Sequence, residues 1–245
     1  MSVLIVIPAR YAAVRFPGKP LAAIAGKPMI QHVYERAAQA KQADAVVVAT
    51  DDDRIAAAVR SFHGTVVMTN PAARSGTERI AEVARGRTEQ VIVNVQGDEP
   101  LIRPEMVNVV TEFLLQHPAV PMASVMTPLT REDDAANPNI VKVVVDQDGY
   151  ALYFSRSPVP FVRGPAPKPR AWKHIGLYGY QRQFLLQFPT LAPTPLEQAE
   201  SLEQLRALEH GFRIKMLETA HDTVGVDTPE DLAKVESLIA KTVGR

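Results

Sequence analysis

The sequence of 245 residues contains no cysteine. This absence excludes disulfide bonds, catalytic thiolates and cysteine-based zinc sites. It fits the reducing cytoplasm, where disulfides are rare. Stability must therefore come from an apolar core, and 46% hydrophobic residues are enough to build one at this length. We expect a cytoplasmic, globular protein.

The sequence also lacks net charge, because Lys and Arg together number 27 and Asp and Glu together number 27. A protein that coats nucleic acid usually carries an excess of basic residues. We therefore expect no nucleic-acid partner, although a local basic pocket is compatible with this balance.

Long apolar runs are absent as well. The run that begins at Val3 has no basic residue before it and is too short for a signal peptide. No window approaches the roughly 18 apolar residues of a membrane-spanning helix. We expect no membrane insertion and interpret residues 3–7 as a buried strand.

What the first half does contain is an alternation of apolar strands and amphipathic helices. Strands are predicted at 3–7, 45–50, 65–68 and 91–95, and helices at 28–40, 52–62, 77–86 and 104–117. Strands that are apolar throughout are typical of a parallel sheet covered on both faces. The pattern predicts an α/β fold with a mostly parallel, twisted sheet between two helical layers.

The second half is richer in strands. Strands are predicted at 122–127, 141–146, 150–155, 174–180 and 213–217, with a hairpin turn at 147–149. Between two of these strands, a proline-rich loop around 158–169 is expected at the surface. One amphipathic helix is predicted at 196–210 and another at 228–243, capped by Thr228.

Polar residues follow three of the predicted parallel strands. Arg10 follows the first, Thr50 and Asp51 end the second, and the residues Gln96, Gly97, Asp98 and Glu99 follow the fourth. Ligands of open parallel sheets bind outside the carboxyl ends of the strands. We therefore expect these groups to converge at one edge of the sheet.

The loop after the first strand carries Arg10, Arg15, Lys19 and Lys27. A stiff loop that presents several cations suits a polyphosphate. Its glycines match neither the Walker spacing nor the dinucleotide-binding fingerprint. The alternative interpretation is a solvated basic loop.

Asp98 is placed to hold Mg²⁺, which prefers one or two protein carboxylates together with phosphate oxygens. Asp227 is the best second carboxylate, because Thr228 can cap the following helix without it. An exposed loop acid is the alternative for Asp98, and a helix-starting acid is the alternative for Asp227. Arg156 offers a bidentate grip on a carboxylate, whereas His174 alone is better explained as a structural hydrogen-bonding residue than as a catalyst.

Taken together, the segments IPARYAAVRFPGKPL, VATDD, SGTER, NVQGDEPLI, NPNIVKVV, YALYFSR, HIGLYGY, PLEQAESLEQLR and GVDTPEDL occur in this order. They resemble the 3-deoxy-manno-octulosonate cytidylyltransferases, from about residue 3 to about residue 235. The resemblance implies a Rossmann-like fold of the nucleotide-diphospho-sugar transferase type. It further implies a single domain over 1–245, with a small β-rich dimerisation and sugar-binding insertion at about 128–200, and a homodimer.

The same resemblance implies transfer of CMP from CTP to 3-deoxy-manno-octulosonate (Kdo), with Mg²⁺ bound by Asp98 and Asp227 and with Lys19 and Arg10 as further catalytic residues. The implied nucleotide-binding residues are Pro8, Ala9, Arg10, Arg15, Lys19, Thr50, Asp51, Arg74, Ser75, Gly76 and Thr77. The implied sugar-binding residues are Gln96, Arg156, His174, Tyr178 and Glu203.

Three other hypotheses are compatible with these residues. The acceptor could be a related acidic sugar, such as 8-amino-Kdo or a sialic acid. The chain could be a nucleotide-binding paralogue without activity, which the retained Lys19, Asp98 and Asp227 disfavour. It could also be a glycosyltransferase whose Asp-x-Asp motif is Asp51–Asp53, although Asp52 and Asp53 equally suit the start of a helix.

Overall fold

The computed structural model describes residues 2–12, 16–164 and 170–243. The strands are β1 (Val3–Ala9), β2 (Ala23–Ile24), β3 (Lys27–Pro28), β4 (Ala45–Thr50), β5 (Val66–Met68), β6 (Val91–Asn94), β7 (Met122–Pro128), β8 (Lys142–Val145), β9 (Ala151–Ser155), β10 (Trp172–Gln181) and β11 (Ile214–Glu218). The α-helices are α1 (Met29–Ala37), α2 (Asp53–Ser61), α3 (Gly76–Arg85), α4 (Pro104–Gln116), α5 (Glu132–Ala136), α6 (Arg182–Gln187), α7 (Pro195–Glu200), α8 (Gln204–Glu209) and α9 (Pro229–Val243).

The large sheet has the strand order β11-β7-β10-β6-β1-β4-β5, with the β8–β9 hairpin attached to β10. β1 runs parallel to β4 and β6, and β4 runs parallel to β5. β10 is antiparallel to both β6 and β7, and β7 pairs in parallel with β11. The prediction of a mostly parallel sheet is confirmed, and the antiparallel β10 at its centre is a feature that the sequence pattern did not reveal.

Apolar side chains fill both faces of the sheet. One face packs against α1, α2 and α4 through residues such as Ile30, Ile55 and Val107. The other face packs against α3, α6 and α8 and includes Ile80 and Leu205. The three-layer arrangement predicted from the alternating pattern is therefore confirmed.

Local signals explain where several helices begin. The Asp52 carboxylate accepts a hydrogen bond from the Arg54 backbone N–H at 2.9 Å and caps α2. Ser75 caps α3 in the same way by accepting from the Glu78 N–H at 3.2 Å. Asp52 lies just beyond the carboxyl end of β4, and Ser75 follows β5 after the loop 69–74, so each helix starts on the side of the sheet where ligands bind.

The predicted single helix at 196–210 is wrong. The structure has two short helices, α7 and α8, separated at Ser201, whose φ of 50° lies in the left-handed region. The preceding Glu200 carboxylate accepts from Ser155 Oγ at 2.7 Å and from the Arg156 N–H at 2.8 Å. These bonds to β9 and the residue after it turn the chain away from the helical path, which a 3.6-residue pattern cannot anticipate.

The structure also contains α5 and α6, which the sequence did not predict. The hairpin turn before β9 is confirmed, with Gly149 at a φ of 74°, a conformation that favours glycine. Across the described ranges 2–12, 16–164 and 170–243, no helix is both long and apolar enough to cross a membrane.

Candidate active site

The predicted convergence of strand ends is present. β1 pairs in parallel with β4 on one side and β6 on the other, with Leu4 opposite Ala45 and Ile92 respectively. A cleft runs along this edge as adjoining cavities that share lining residues. We name them the Lys19 cavity of about 220 Å³, the Arg74 cavity of about 450 Å³, the Asn94 cavity of about 110 Å³ and the His174 cavity of about 550 Å³.

Lys19 brings the two predicted metal ligands together. Its ammonium group donates to Asp98 Oδ2 at 2.7 Å and lies 3.4 Å from Asp227 Oδ1. The two carboxylates come from positions far apart in the chain, yet they flank one cation. One lysine and two aspartates leave an excess of negative charge at this point of the cleft, which favours a further cation.

The loop that carries Asp98 can approach β1 because residue 97 is glycine. A Cβ atom at Gly97 would lie 2.7 Å from the Pro8 carbonyl oxygen, closer than real contacts allow. The backbone N–H of Val226 donates to the Asp98 carbonyl at 2.9 Å and brings the segment before α9 to the same loop. Asp98 and Asp227 thus share one edge of the sheet.

The Lys19 cavity contains most of the predicted phosphate-side residues. Its lining consists of Pro8, Ala9, Arg10, Lys19, Pro20, Gly76, Gln96, Gly97 and Asp98. Arg10 is exposed at the end of β1, where its guanidinium group can reach an anion in the cleft. The prediction for Arg15 falls outside the described residues.

The predicted residues 74–77 lie at the start of α3. Arg74 is largely exposed, pairs with Glu78 and lines the Arg74 cavity together with Ser75 and Gly76. Thr77 is buried, and its hydroxyl donates to the Glu203 carboxylate across the cleft. Thr77 and Glu203 both line the Asn94 cavity. This hydrogen bond joins the predicted nucleotide side to the predicted sugar side.

Thr50 and Asp51 lie outside these cavities. Thr50 is buried, and its hydroxyl accepts from the Asp52 N–H at 3.2 Å. Asp51 accepts from the buried guanidinium group of Arg79 at 3.1 Å. Asp52 caps α2 and pairs with Arg54. The three consecutive aspartates therefore do not converge on one point, as an Asp-x-Asp metal motif would require.

His174 is a buried wall residue of the largest cavity. The Ser124 hydroxyl donates its one proton to the Leu177 carbonyl at 2.8 Å, so it accepts from His174 Nε2 at 3.0 Å. Burial lowers the pKa of His174 from 6.5 to about 3. The imidazole is therefore neutral at pH 7, and its Nδ1 atom is the acceptor nitrogen.

Tyr178 lies where the Asn94 and His174 cavities meet. Burial, followed by the nearby charge of Glu203, raises its pKa well above 10. Its hydroxyl thus remains protonated and offers a hydrogen-bond donor. Gln96 lines the Asn94 and Lys19 cavities and connects the two halves of the cleft.

Arg156 is placed at the rim and does not line any of the four cavities. Its guanidinium group donates to the carbonyl oxygens of Glu200 at 2.7 Å, Pro138 at 2.9 Å and Ser201 at 3.4 Å. It connects the end of β9 to the turn between α7 and α8. A grip on a sugar carboxylate would require it to exchange some of these partners.

Several residues of the cleft were missed by sequence reasoning. Asn94 and Gln204 line the Asn94 cavity, and each has a buried amide atom without a hydrogen-bond partner in the described ranges. Glu99 lines the His174 cavity, and burial, reinforced by the charge of Asp98, raises its pKa to about 7. The available signals were the position of Asn94 near the end of the predicted strand, two residues before Gln96, and the position of Glu99 next to Asp98.

The donor set is compatible with magnesium but not with a metal site made of protein alone. In the part of the chain that the structure describes, no group of three or more His, Cys, Asp or Glu side chains is arranged to hold a metal. Because Mg²⁺ takes one or two ligands from carboxylates and the rest from phosphate and water, Asp98 and Asp227 would hold it if a phosphate occupied the Lys19 cavity.

Comparisons with known proteins identify the family of the chain. The sequence profile of the cytidylyltransferase family matches residues 4–216. A 3-deoxy-manno-octulosonate cytidylyltransferase from Geobacter sulfurreducens is 54% identical over 245 residues, covering 96% of this chain and 98% of the relative. An enzyme of the same name from Myxococcus xanthus is 55% identical over 235 residues, covering 96% and 95%.

Solved structures give the same result. A CMP:2-keto-3-deoxy-manno-octonic acid synthetase complexed with CTP superimposes with a TM-score of 0.95 at 47% identity, covering 99% of this chain and 100% of that one. A 4-diphosphocytidyl-2C-methyl-D-erythritol synthase from Anaerococcus prevotii, at 10% identity and a TM-score of 0.65, shares the fold and covers 98% of each chain. The chain therefore belongs to the cytidylyltransferase family and, within it, to the 3-deoxy-manno-octulosonate cytidylyltransferases.

Proposed function

We propose that this protein transfers CMP from CTP to Kdo, giving CMP-Kdo and pyrophosphate, and that it activates Kdo for lipopolysaccharide synthesis. The observation that carries the proposal is the contact of Lys19 with both Asp98 and Asp227 at the edge of the sheet. The chain that contains this contact is about half identical in sequence to enzymes named 3-deoxy-manno-octulosonate cytidylyltransferase. A related acidic sugar as acceptor, or a paralogue without activity, has no comparable support.

On the nucleotide side, the Lys19 cavity would receive the triphosphate. Lys19 and Arg10 supply positive charge there, and that charge stabilises the leaving pyrophosphate as it forms. The loop before α3, with Ser75 and Gly76, would surround the nucleoside in the adjoining Arg74 cavity.

Asp98 and Asp227 would hold Mg²⁺ against the phosphates. When bound, the ion polarises the sugar hydroxyl and neutralises charge on the phosphates. The protein's own contribution is to keep the two carboxylates on one side of Lys19, so that the metal ligands and the phosphate-binding cation are ordered before substrate arrives.

On the sugar side, the His174 cavity of about 550 Å³ has the size of a small-molecule site. His174, neutral at pH 7, would accept a hydrogen bond from a sugar hydroxyl rather than transfer a proton. Tyr178 would donate one, and Gln96 and Glu203 would offer further polar groups from the adjoining Asn94 cavity. The carboxylate of the sugar would draw Arg156 from its present carbonyl partners.

The reaction itself requires mainly positioning. The anomeric hydroxyl oxygen of Kdo attacks the α-phosphorus of CTP, the new P–O bond forms, and the bond to pyrophosphate breaks in line. The hydroxyl proton leaves to solvent. The protein lowers the barrier by holding both substrates in one cleft and by stabilising charge on the phosphates.

We further propose a cytoplasmic homodimer. The absence of cysteine supports a location in the reducing cytoplasm. β9 is paired only with β8 among the described strands, and its Leu152 is 62% exposed. Phe161, in the loop that follows, is 88% exposed. Large apolar side chains beside an open strand edge suit a second subunit, and light scattering should give twice the mass of one chain.

A pyrophosphate-release assay tests the proposed activity. Release should require CTP, Kdo and Mg²⁺ together, and omission of any one should abolish it. Replacement of Kdo by 8-amino-Kdo or by a sialic acid should give much slower release. Equal rates with these sugars would contradict the proposed acceptor, and no release with all three components would contradict the activity.

A further inference from the structure

The segment 219–227 carries Asp227 without being part of a strand or helix. It leaves the sheet after β11 and reaches α9 at Pro229. Lys173 on β10 donates to Asp222 Oδ1 at 2.7 Å and to the Thr223 carbonyl at 3.4 Å. The Val226 N–H donates to the Asp98 carbonyl at 2.9 Å, and the Val226 side chain is buried. The segment that ends at Asp227 is therefore held at the cleft by contacts with β10 and with the Asp98 loop.

Glu99 is the side chain that lies between this segment and the Asp98 loop. Its carboxyl group hydrogen-bonds the side chain of Thr223. Gly225 packs directly against it, since a Cβ atom there would lie 3.3 Å from Glu99 Oε1. Glu99 thus contacts the segment at two points and is covalently next to Asp98.

The buried carboxyl group of Glu99 does not favour the stability of the folded state. Its Oε2 atom is buried and has no hydrogen-bond partner in the described ranges. An unpaired buried polar atom lowers the stability of the folded state, and an apolar residue of similar volume would avoid that loss. The carboxyl group of Glu99 is therefore better explained by its contacts with the segment 219–227 than by a contribution to stability.

We propose that Glu99 is a positioning residue that sets the placement of the Asp227 segment against Asp98, and thereby the affinity of the two aspartates for a divalent cation. It does so through shape and its bond to Thr223, not as a ligand. The inference rests on the magnesium site of the proposed function. Partners that orient metal ligands typically affect metal affinity by about 10- to 100-fold.

Two substitutions separate shape from charge. Glu99→Gln removes the charge and keeps the size and the hydrogen-bonding capacity of the side chain. Gly225→Ala keeps the Glu99 charge and pushes its carboxyl group by a few tenths of an ångström. The backbone at residue 225 is compatible with alanine, since its φ is not in the left-handed region. Glu99→Ala removes both shape and charge.

Glu89 provides the matched control. It is also a buried glutamate, bonded to Arg87, but it lies before β6 at the opposite end of the sheet. Glu89→Ala should lower the unfolding temperature and leave cation binding unchanged. Asp98→Asn serves as the reference for loss of the site itself.

The experiment is a titration of the full-length protein with Mn²⁺ in the presence of CTP, followed by electron paramagnetic resonance, with CTP without protein as the blank and with thermal unfolding of each variant in parallel. We expect Glu99→Ala and Gly225→Ala to weaken Mn²⁺ binding about 10-fold or more, and Glu99→Gln to stay closer to the unsubstituted protein than Glu99→Ala does.

If Asp98→Asn abolishes binding but Glu99→Ala and Gly225→Ala bind normally, the inference is overturned while the proposed function stands. Equal losses in Glu99→Gln and Glu99→Ala, with normal binding by Gly225→Ala, would also overturn it in favour of charge. If the unsubstituted protein binds no Mn²⁺, both the metal site and this inference fail.

Discussion

The neutral state of His174 can be measured as a dependence of stability on pH. In the folded protein its pKa is about 3 because of burial, whereas in the unfolded chain it is about 6.5. Between these values the unfolded state binds a proton that the folded state does not. The free energy of unfolding is therefore undiminished above pH 6.5 and falls as the pH decreases towards 3.

The size of this loss of unfolding free energy follows from the shift in the pKa of His174. Each pH unit in this window corresponds to about 1.36 kcal/mol, so lowering the pH from 7 to 4.5 should cost about 2.5 kcal/mol through this residue. His174→Gln keeps a donor for Ser124 and removes the titration. The variant should be less stable at pH 7 but should lose about 2.5 kcal/mol less than the unsubstituted protein on acidification.

Urea unfolding at pH 7 and pH 4.5, followed by circular dichroism, gives the free energy of unfolding of each protein at both pH values. His63→Asn is the control, because it removes an exposed histidine at a φ of 61°, a conformation that Asn tolerates. If His174→Gln loses as much stability on acidification as the unsubstituted protein, His174 is not buried in its neutral form. Its assignment as a hydrogen-bond acceptor in the His174 cavity is then refuted.

Two further substitutions test the packing around the cleft. Lys142 is buried and donates to the carbonyls of Asn137 and Ile140, which line the His174 cavity. Lys142→Met leaves these carbonyls without their donor, so it should lower the free energy of unfolding in urea by about 1 to 3 kcal/mol and raise the KM for Kdo more than that for CTP; an equal rise in both would contradict this. Gly179→Ala would place a Cβ atom 2.4 Å from Val110 Cγ1, so it should lower stability by about 1 to 3 kcal/mol through separation of α4 from β10, and unchanged stability would show that this contact is looser than described.

Much of the fold could be predicted because local signals agree with the global structure. Residues 45–50 form β4 with the predicted bounds, and the helix expected at 104–117 is α4, one residue shorter. The failure at 196–210 has a tertiary cause. Ser201 is turned into the left-handed region while Glu200 is bonded to Ser155 and Arg156, which are distant in sequence and invisible to a periodic pattern.

Part of the candidate site could likewise be predicted from the sequence, and part of it could not. The ends of parallel strands must meet at one edge, so the sequence could predict the approach of Arg10 and Asp98. It could not predict that Thr50 and Asp51 are engaged with α2 and with Arg79, since those contacts depend on how the helices pack. The role of Glu99 was missed for a similar reason, because burial is a property of the folded chain.

The central claim is that Asp98 and Asp227 act on one cation. The direct test is a double-mutant cycle on kcat/KM for pyrophosphate release with Asp98→Asn, Asp227→Asn and both together. Residues that act as a unit are strongly non-additive, so each single substitution should remove most of the activity and the double variant should lose little more than the weaker single one. Losses that multiply, or a single variant with nearly unchanged turnover, would show that the two aspartates do not share an ion.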